Sequence, residues 1–344
     1  MKADIAPRTD RRTPAAAGDA GALPLTRRGF LVAAAYALGT TLPGCTSIRP
    51  LVRPAQGRAG SVLPGYAPDT RLLIMNADDI GLAHSVNAAV ISAFERRLVE
   101  SGSVMVPCEH FPEFTNWART HPDLDLGVHL TFTSLPSDRW RPILPSKQVQ
   151  SLVDADGCFP IHWPPERVVV PDEVHAEIQA QVGRARELGI EPTHLDAHQH
   201  LLQLRGPEVF GALVRAARET RLPFRLARNW DQRAPYLLKN AEGATVPLER
   251  LIAMSAPSPS AAGWASWYAD QIRALPPGLS ELFLHPGYDN AELRALLPDD
   301  RPSGPSGRQR DYDALGSDEL RAALRDSGVI RVTWREVRRA IANG

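Results

Sequence analysis

Short apolar runs alternate with amphipathic stretches along most of the chain, beginning at Arg71. The first run, residues 72–75, is continuously apolar, which is typical of a strand buried on both faces of a parallel sheet. The pattern predicts strands over residues 72–75, 103–107, 124–133, 193–201, 223–227, 281–284 and 329–333. It predicts helices over residues 85–98, 111–119, 171–188, 207–220, 318–325 and 335–341. Repeated strand–helix units of this kind predict an α/β fold, an irregular (β/α) barrel similar to a TIM barrel, in one domain over residues 70–340.

The first 45 residues depart from this pattern and resemble an export signal. Arg27 and Arg28 precede an apolar run that ends near Leu42 and is too short to span a bilayer. The arginine pair is typical of a twin-arginine signal, and the sequence Leu-Pro-Gly-Cys resembles a lipobox, in which Cys45 would carry a lipid anchor. Residues 46–69 are rich in Pro and Gly and predict a tether. We therefore expect twin-arginine export to the periplasm or to a membrane-anchored position at the cell envelope; a disordered extension is the alternative.

Charge and cysteine content narrow the class of partner. The 344 residues include 39 Lys and Arg and 39 Asp and Glu, so the chain has no overall field that would attract nucleic acid. A neutral small molecule or a glycan is the expected partner. The three cysteines, Cys45, Cys108 and Cys158, lack the spacing of a zinc–thiolate site. The sequence leaves open whether Cys108 and Cys158 pair in an oxidising compartment.

Two adjacent carboxylates follow the first predicted strand. Asp78 and Asp79 come just after the apolar run, with Gly81 to free the backbone. Carboxylates this close repel each other, so a positive group must compensate them or one of them must hold a proton. A divalent metal would satisfy this requirement. The alternative is that the pair only caps the helix predicted from Ser85.

Ionisable side chains also mark three later strands. They are His129 in the strand over residues 124–133, His285 after the strand over residues 281–284, and the group His194, Asp196, His198 and His200. Alternation with period two predicts that this last group projects from one face of a strand. Four ionisable groups are costly to bury unless they bind something. His129 or His285 alone would also fit a hydrogen-bonded core residue.

Together these residues suit metal-dependent hydrolysis. A carboxylate with two imidazoles is a common ligand set for a divalent cation and leaves positions for water and substrate. Such a cation lowers the pKa of its bound water and polarises a carbonyl oxygen. The second aspartate can then act as base, and another histidine as acid. The chemistry that the sequence predicts is hydrolysis of an amide or an ester.

Four ordered motifs resemble those of the YdjC-like carbohydrate deacetylases, a family that includes chitooligosaccharide deacetylases and a hopanoid-pathway deacetylase. The motifs are Asn76-Ala77-Asp78-Asp79-x-Gly81, Gly127-x-His129-Leu130, Thr193-His194-Leu195-Asp196-x-His198-x-His200 and His285-Pro286-Gly287. The resemblance runs from about Arg71 to about Val337 and includes Arg310-Asp311-Tyr312-x-x-Leu315. It implies a β/α-barrel-like catalytic domain that removes N-acetyl groups from acetylated amino sugars or oligosaccharides.

The resemblance also implies roles for individual residues. Asp79, His129 and His198 would hold a divalent metal, magnesium in the family, with zinc as an alternative. Asp78 would be the base that activates water, and His285 is the candidate acid. This hypothesis requires the three metal ligands to converge on one cation with Asp78 beside it.

Five further residues are candidates for substrate contact or for orienting the ligands. They are His194, Asp196, His200, Arg225 and Arg228. The first three share the predicted strand face of His198. The two arginines would neutralise Asp78 or bind sugar hydroxyls, or else form surface ion pairs.

Two irregular segments, residues 135–170 and 230–277, carry many aromatic residues. These rings either contact the sugar or pack onto the barrel. Two rival functions remain: a metal-dependent esterase or amidase acting on a non-sugar substrate, and a non-catalytic glycan-binding lipoprotein. The sequence leaves open whether the protein forms a homodimer.

Overall fold

Strand β1 (Arg71–Ile80) runs through the middle of a seven-stranded parallel sheet. The computed structural model describes residues 63–232 and 234–342. The other strands are β2 (Ser101–Val104), β3 (Asp125–Leu130), β4 (Leu195–Ala197), β5 (Arg250–Ile252), β6 (Gly278–Leu284) and β7 (Ile330–Arg331). Their order is β4-β3-β2-β1-β6-β5, and β7 pairs with the beginning of β1. The apolar residues of β1 are buried throughout, which explains its central place in the sheet.

Eleven α-helices connect these strands in the part of the chain that the structure describes. They are α1 (His84–Glu95), α2 (Phe111–Ala118), α3 (Pro171–Glu187), α4 (Leu201–Leu204), α5 (Pro207–Thr220), α6 (Tyr236–Asn240), α7 (Trp264–Arg273), α8 (Ala291–Leu296), α9 (Pro305–Leu315), α10 (Asp318–Asp326) and α11 (Trp334–Ala342). Helices such as α5 bury an apolar stripe that includes Val209, Phe210 and Leu213. Among the described helices, none has the length and apolar character needed to cross a membrane.

Two short segments, rather than a full strand, continue the sheet from β4 to β5. Leu195 pairs with Phe224, and Ala227 pairs with Leu248 just before β5. The amide N of Leu195 donates to the carbonyl O of Pro223 at 2.8 Å. The predicted strand over residues 223–227 is therefore present only as these bridges. The arrangement confirms the predicted α/β fold with an irregular (β/α) barrel.

The last helix closes the amino-terminal end of the barrel. Trp334, the first residue of α11, is fully buried, and its amide N donates to Oδ2 of Asp125 at 2.8 Å. Asp125 is the first residue of β3. The indole stacks on the ring of His194, with the centroids 4.9 Å apart. The polar site described below lies at the opposite, carboxyl-terminal ends of the strands.

The third motif folds differently from its prediction. The strand over residues 193–201 was expected to carry four ionisable side chains on one face, and this is wrong because β4 ends at Ala197. Gln199 and His200 have φ values of 59° and 53°, so a left-handed backbone turns the chain into α4. His198 consequently leaves the sheet at a turn rather than from a strand.

Several predictions concern segments at the amino terminus or the cysteines. The predicted signal over residues 1–45, with Cys45, lies outside the described residues, as do residues 46–62 of the predicted tether. Cys108 and Cys158 are both buried and free, so they do not pair.

Candidate metal-binding active site

Asp78 and Asp79 lie at an irregularity near the end of β1. The pairing of β1 with β2 shifts just before Ile80, and Asp79 has a φ of 66°. This backbone conformation is uncommon for residues other than glycine, and it recurs at functional sites. Both carboxylates are buried. Helix α1 has Ala83 at its amino-terminal cap and no side-chain cap, so the alternative in which the aspartates cap this helix is wrong.

Ligand atoms from the ends of β1, β3 and β4 meet at one point. Oδ1 of Asp79 lies 3.2 Å from Nε2 of His129 and 3.3 Å from Nδ1 of His198. Donors that share one cation at ~2.1 Å stand about 3.0–3.4 Å apart, depending on the coordination geometry. Oδ1 is buried and, although two imidazole nitrogens face it, it makes no hydrogen bond within the described residues. The three residues therefore fit a divalent cation, and the structure brings the predicted ligands together.

The second oxygen of Asp79 binds an arginine. Nη2 of Arg308 donates to Oδ2 of Asp79 at 2.5 Å, and both side chains are almost fully buried. Burial opposes the negative charge of Asp79, but Arg308, His129 and His198 outweigh it and hold the pKa of this carboxyl well below its usual value. Asp79 is therefore ionised at neutral pH, as a metal ligand must be.

Asp196 orients the first histidine. Nδ1 of His129 lies 2.9 Å from Oδ1 of Asp196, which leaves Nε2 to face Asp79. Ser103 donates its hydroxyl to Oδ2 of Asp196 at 2.8 Å. Burial opposes a charge on His129, but Asp196 and Asp79 outweigh it and raise the pKa of this imidazole well above its usual value. A carboxylate behind a ligating histidine is the arrangement that fixes its tautomer in metal sites.

A second group, Asp78, His129 and Asp196, also has metal-ligand spacing. Arg225 occupies the space that a cation would need there, because this fully buried side chain binds both carboxylates. Its Nη1 and Nη2 donate to the two oxygens of Asp78, each at 2.7 Å, and Nη2 lies 3.0 Å from Oδ2 of Asp196. A guanidinium already supplies the positive charge, so the set formed by Asp79, His129 and His198 is the better metal site.

Arg225 also binds a third carboxylate. Its Nε and Nη2 donate to the two oxygens of Glu281 at 3.0 and 2.8 Å. Burial raises the pKa of Glu281 to about 7, against the attraction of Arg225. Burial also opposes the charge of Arg225, but Asp78, Glu281 and Asp196 outweigh it and raise the pKa of the guanidinium well above its usual value. The predicted role of Arg225 in neutralising Asp78 matches this geometry.

His285 follows β6 at the carboxyl-terminal end of the barrel. Its amide N donates to Oδ2 of Asp311 in α9 at 3.0 Å. Oδ1 of Asp311 accepts hydrogen bonds from Nε1 of Trp264 and from the hydroxyl of Tyr268, each at 2.8 Å. Burial lowers the pKa of the His285 imidazole, and the charges of Asp79 and Asp78 act on the same ring. Helices α7 and α9 therefore hold the candidate acid beside the aspartates.

The structure places His194 and His200 apart from each other. His194 is fully buried against Trp334, and burial lowers the pKa of its imidazole to about 4. Gly127 makes room for this ring, because a Cβ there would lie 2.4 Å from Cε1 of His194. His200 is half-buried beside Trp230, with ring centroids 4.7 Å apart, and burial lowers its pKa to about 3. Of the two, His200 is the one near the rim of the barrel.

The remaining predicted residues lie at the periphery. Nε of Arg228 donates to Oε1 of Glu249 at 2.7 Å, and the arginine is partly exposed, which matches the ion-pair alternative. In the segment over residues 135–170, Trp140 and Trp163 are buried, so these rings pack onto the barrel. Trp140 is nevertheless close to the site, with its ring 6.4 Å from that of His198.

Three residues of the site were not singled out from the sequence: Arg308, Glu281 and Ser103. Glu281 gave a usable signal, because a charged residue beside a run of apolar residues in a buried strand needs a partner. Arg308 gave none, since α9 is largely polar and the residue lies far along the chain from Asp79. Ser103 is a small polar residue of β2, without a pattern that marks it.

The chain is similar in sequence to several known proteins. The sequence pattern of the family described as YdjC-like protein matches residues 72–326. The chain is 34% identical over 292 residues to the carbohydrate deacetylase of Thermus thermophilus, which covers 79% of this chain and 95% of that protein. It is 31% identical over 175 residues to the chitooligosaccharide deacetylase of Yersinia enterocolitica, which covers 49% of this chain and 65% of that protein.

The fold of the chain is also similar to that of a solved structure. The crystal structure of an Enterococcus faecalis protein, described as a candidate for cellobiose-phosphate cleavage, superposes with a TM-score of 0.67. The two sequences are 27% identical, and the superposition covers 77% of this chain and 98% of that one. With the family pattern matching most of the chain and the Thermus relative matching over nearly its whole length, this chain belongs to the YdjC-like protein family.

Proposed function

We propose that the protein removes N-acetyl groups from acetylated amino sugars or oligosaccharides by metal-dependent hydrolysis. The observation that carries this conclusion is the convergence of Asp79, His129 and His198, with Asp78 held beside them by Arg225. Relatives named carbohydrate deacetylase and chitooligosaccharide deacetylase support the substrate class. In this reaction water adds to the acyl carbon, the C–N bond breaks, and acetate and a free amine result.

The donor set bears on which cation binds. A divalent cation at this site would lower the pKa of a bound water and polarise the acyl oxygen. Magnesium follows from the resemblance, but two imidazole nitrogens with one carboxylate suit zinc or a similar transition metal better than an all-oxygen cation. We therefore propose zinc ahead of magnesium. Metal analysis of the purified protein, followed by chelation and separate return of zinc and magnesium, tests this order.

We assign the role of the base to Asp78. Its two oxygens are held by Arg225, and Oδ1 also accepts a hydrogen bond from Nδ2 of Asn76 at 2.7 Å. These donors fix the orientation of the carboxylate, so that it can take a proton from the attacking water. The neighbouring metal ligand, Asp79, is the next residue, which keeps base and cation together.

We assign the role of the acid to His285. Burial lowers the pKa of its imidazole, while the charges of Asp79 and Asp78 oppose this shift and favour a proton on the ring, which His285 can give to the departing amine nitrogen. Asp311 holds the backbone of His285 and, through Trp264 and Tyr268, ties it to α7. The acid is thus fixed by the scaffold rather than by a flexible loop.

The test is acetate release from N-acetylglucosamine oligomers beside simple acetate esters and non-sugar amides. We expect release from the oligomers, and a loss of at least about 100-fold in kcat for Asp78→Asn. Asp172→Asn, at a largely exposed carboxylate, is the matched control and should keep full activity. Preference for non-sugar substrates would favour the esterase or amidase alternative. Oligomer binding without any release would favour the glycan-binding alternative.

The proposed location rests on the amino-terminal sequence. We propose that the twin-arginine signal exports the folded protein and that a lipid on Cys45 anchors it at the cell envelope. Cell fractionation tests both steps. Replacing Arg27 and Arg28 with Lys should keep the protein in the cytoplasm, and Cys45→Ala should release it into the soluble fraction of the envelope.

A further inference from the structure

Arg308 is a buried cation whose hydrogen bonds are incomplete. Its Nε donates to the carbonyl O of Ser303 at 2.9 Å, and its Nη2 donates to Asp79. Nη1 is buried and has no hydrogen-bond partner among the described residues. A buried charged donor without a partner is costly, and native proteins rarely leave one in that state. An acceptor is therefore expected at Nη1 when the site is in use.

The surroundings of Arg308 locate that acceptor at the reacting centre. Gly287, in the turn that follows His285, lies against the arginine; a Cβ there would stand 3.2 Å from Cβ of Arg308. The charge of Arg308 also acts on the imidazole of His285. On its other side the guanidinium binds Asp79. Arg308 thus contacts a metal ligand on one side and the turn after the candidate acid on the other. The amide to be cleaved has to lie between that ligand and that acid, next to the arginine.

The chemistry of the reaction indicates what the acceptor is. Guanidinium groups form strong hydrogen bonds with carboxylates, and fixed donors stabilise negative charge that develops on an acyl oxygen. Deacetylation produces both, because the acyl oxygen gains charge as water attacks and acetate then leaves as a carboxylate. We propose that Nη1 of Arg308 donates a hydrogen bond to the acyl oxygen of the substrate and to the carboxylate of the acetate product. This inference rests on the proposed function.

Product inhibition by sodium acetate tests the proposal on the full protein at saturating metal, with sodium chloride at equal ionic strength as the control salt. For Arg308→Met we expect the inhibition constant for acetate to rise at least about tenfold and kcat to fall about 10²–10³-fold. Arg308→Lys keeps the positive charge but loses the paired donors of the guanidinium, so its inhibition constant and kcat should lie between those of the wild type and of Arg308→Met. Arg325→Met, at a largely exposed arginine of α10 paired with Asp326, is the matched control and should behave as the wild type.

Bound metal per protein is measured in parallel, because it separates acyl binding from a role in positioning Asp79. Full metal content with a raised acetate inhibition constant supports the proposal. Loss of metal from Arg308→Met, or full metal with unchanged acetate inhibition, overturns it. If Arg308→Met does not fold, the acetate inhibition constant of Arg308→Lys decides in the same way.

Separate results would refute the proposed function and the proposed role of Arg308. A wild-type protein that releases no acetate from any acetylated sugar would refute deacetylation. Calorimetric titration of acetate into the metal-loaded wild type and into Arg308→Met would still test the arginine, with equal affinities overturning the proposal.

Discussion

Replacing Arg225 with Met should destabilise the protein by about 3–5 kcal/mol at pH 8. This is the usual cost of removing one partner of a buried ion pair, because the other partner keeps an uncompensated charge. Here the arginine is the shared partner of Asp78, Asp196 and Glu281, and all four side chains are buried. Burial raises the pKa of Glu281 to about 7, so in the variant this residue can take up a proton at little cost, which limits the loss of unfolding free energy. We therefore place the expected value within this range and not above it.

Urea unfolding followed by circular dichroism measures the loss, with a chelator present so that metal binding does not contribute. At pH 5.5 the remaining carboxylates of Arg225→Met take up protons, and the loss should shrink by about 1 kcal/mol or more. Adding Glu281→Gln removes one uncompensated carboxylate, so the double variant should be more stable than Arg225→Met alone. Arg228→Met, at a partly exposed arginine paired with Glu249, is the matched control and should cost at most about 1 kcal/mol.

Two results would refute this reasoning. One is a loss below about 1 kcal/mol for Arg225→Met at pH 8, which would mean that the carboxylates are not held in a low-dielectric cluster. The other is strict additivity of Arg225→Met and Glu281→Gln, because residues that share a buried hydrogen-bond network should couple.

Further variants test the metal site, the titration of the cluster and the packing beneath it. Asp79→Asn should weaken zinc binding at least about 100-fold in a chelator competition assay, since it removes the charged ligand; unchanged binding would contradict the metal site. Burial raises the pKa of Glu281 from 4.5 to about 7, so between these pH values the native state holds a proton that the unfolded chain releases. The proton on Glu281 therefore stabilises the native state fully below pH 4.5, and this contribution is lost as the pH rises through 7. Glu281→Gln should therefore flatten the fall in unfolding free energy between pH 5 and pH 7.5, and an unchanged slope would count against the assignment. Gly127→Ala should lower the free energy of unfolding by about 1–3 kcal/mol, measured by thermal unfolding, because its Cβ would overlap the buried ring of His194. Gly211→Ala is the control: it has open space in α5 and should not destabilise the protein. Equal effects of the two substitutions would contradict this packing.

A simple geometric rule predicted that the candidate residues would meet at one edge of the sheet, and the family resemblance selected three of them as the metal ligands. Parallel strands end at the same edge of a sheet, so polar residues that follow separate apolar runs are brought together there. Asp79, His129 and His198 are such residues, and their ligand atoms meet within the reach of one cation. The continuous apolar run before Asp79 identified the central strand for the same reason.

The same rule does not show how far along a strand each residue lies. A strand rises about 3.3 Å per residue, so His194 lies roughly 6–7 Å below Asp196 and reaches Trp334 at the opposite end of the barrel. The left-handed turn at Gln199 was missed because the ionisable side chains keep their period-two spacing through His200, although Gln199 is itself polar where alternation would place an apolar residue. The ion pair of Arg308 with Asp79 depends on how α9 packs, which no local pattern encodes.

The floor of the barrel has a practical consequence for anyone expressing this domain. The stretch that matches the family pattern ends at Asp326, whereas Trp334 and the rest of α11 come after it. Asp125 accepts hydrogen bonds from the amides of Trp334 and Arg335 and from the hydroxyl of Ser101. Shortening the chain to the matched region would remove the two amide donors and open the interior of the barrel to water at its amino-terminal end. A truncation chosen by similarity alone would thus keep every residue of the reaction centre and still remove α11, the helix that closes the barrel beneath it.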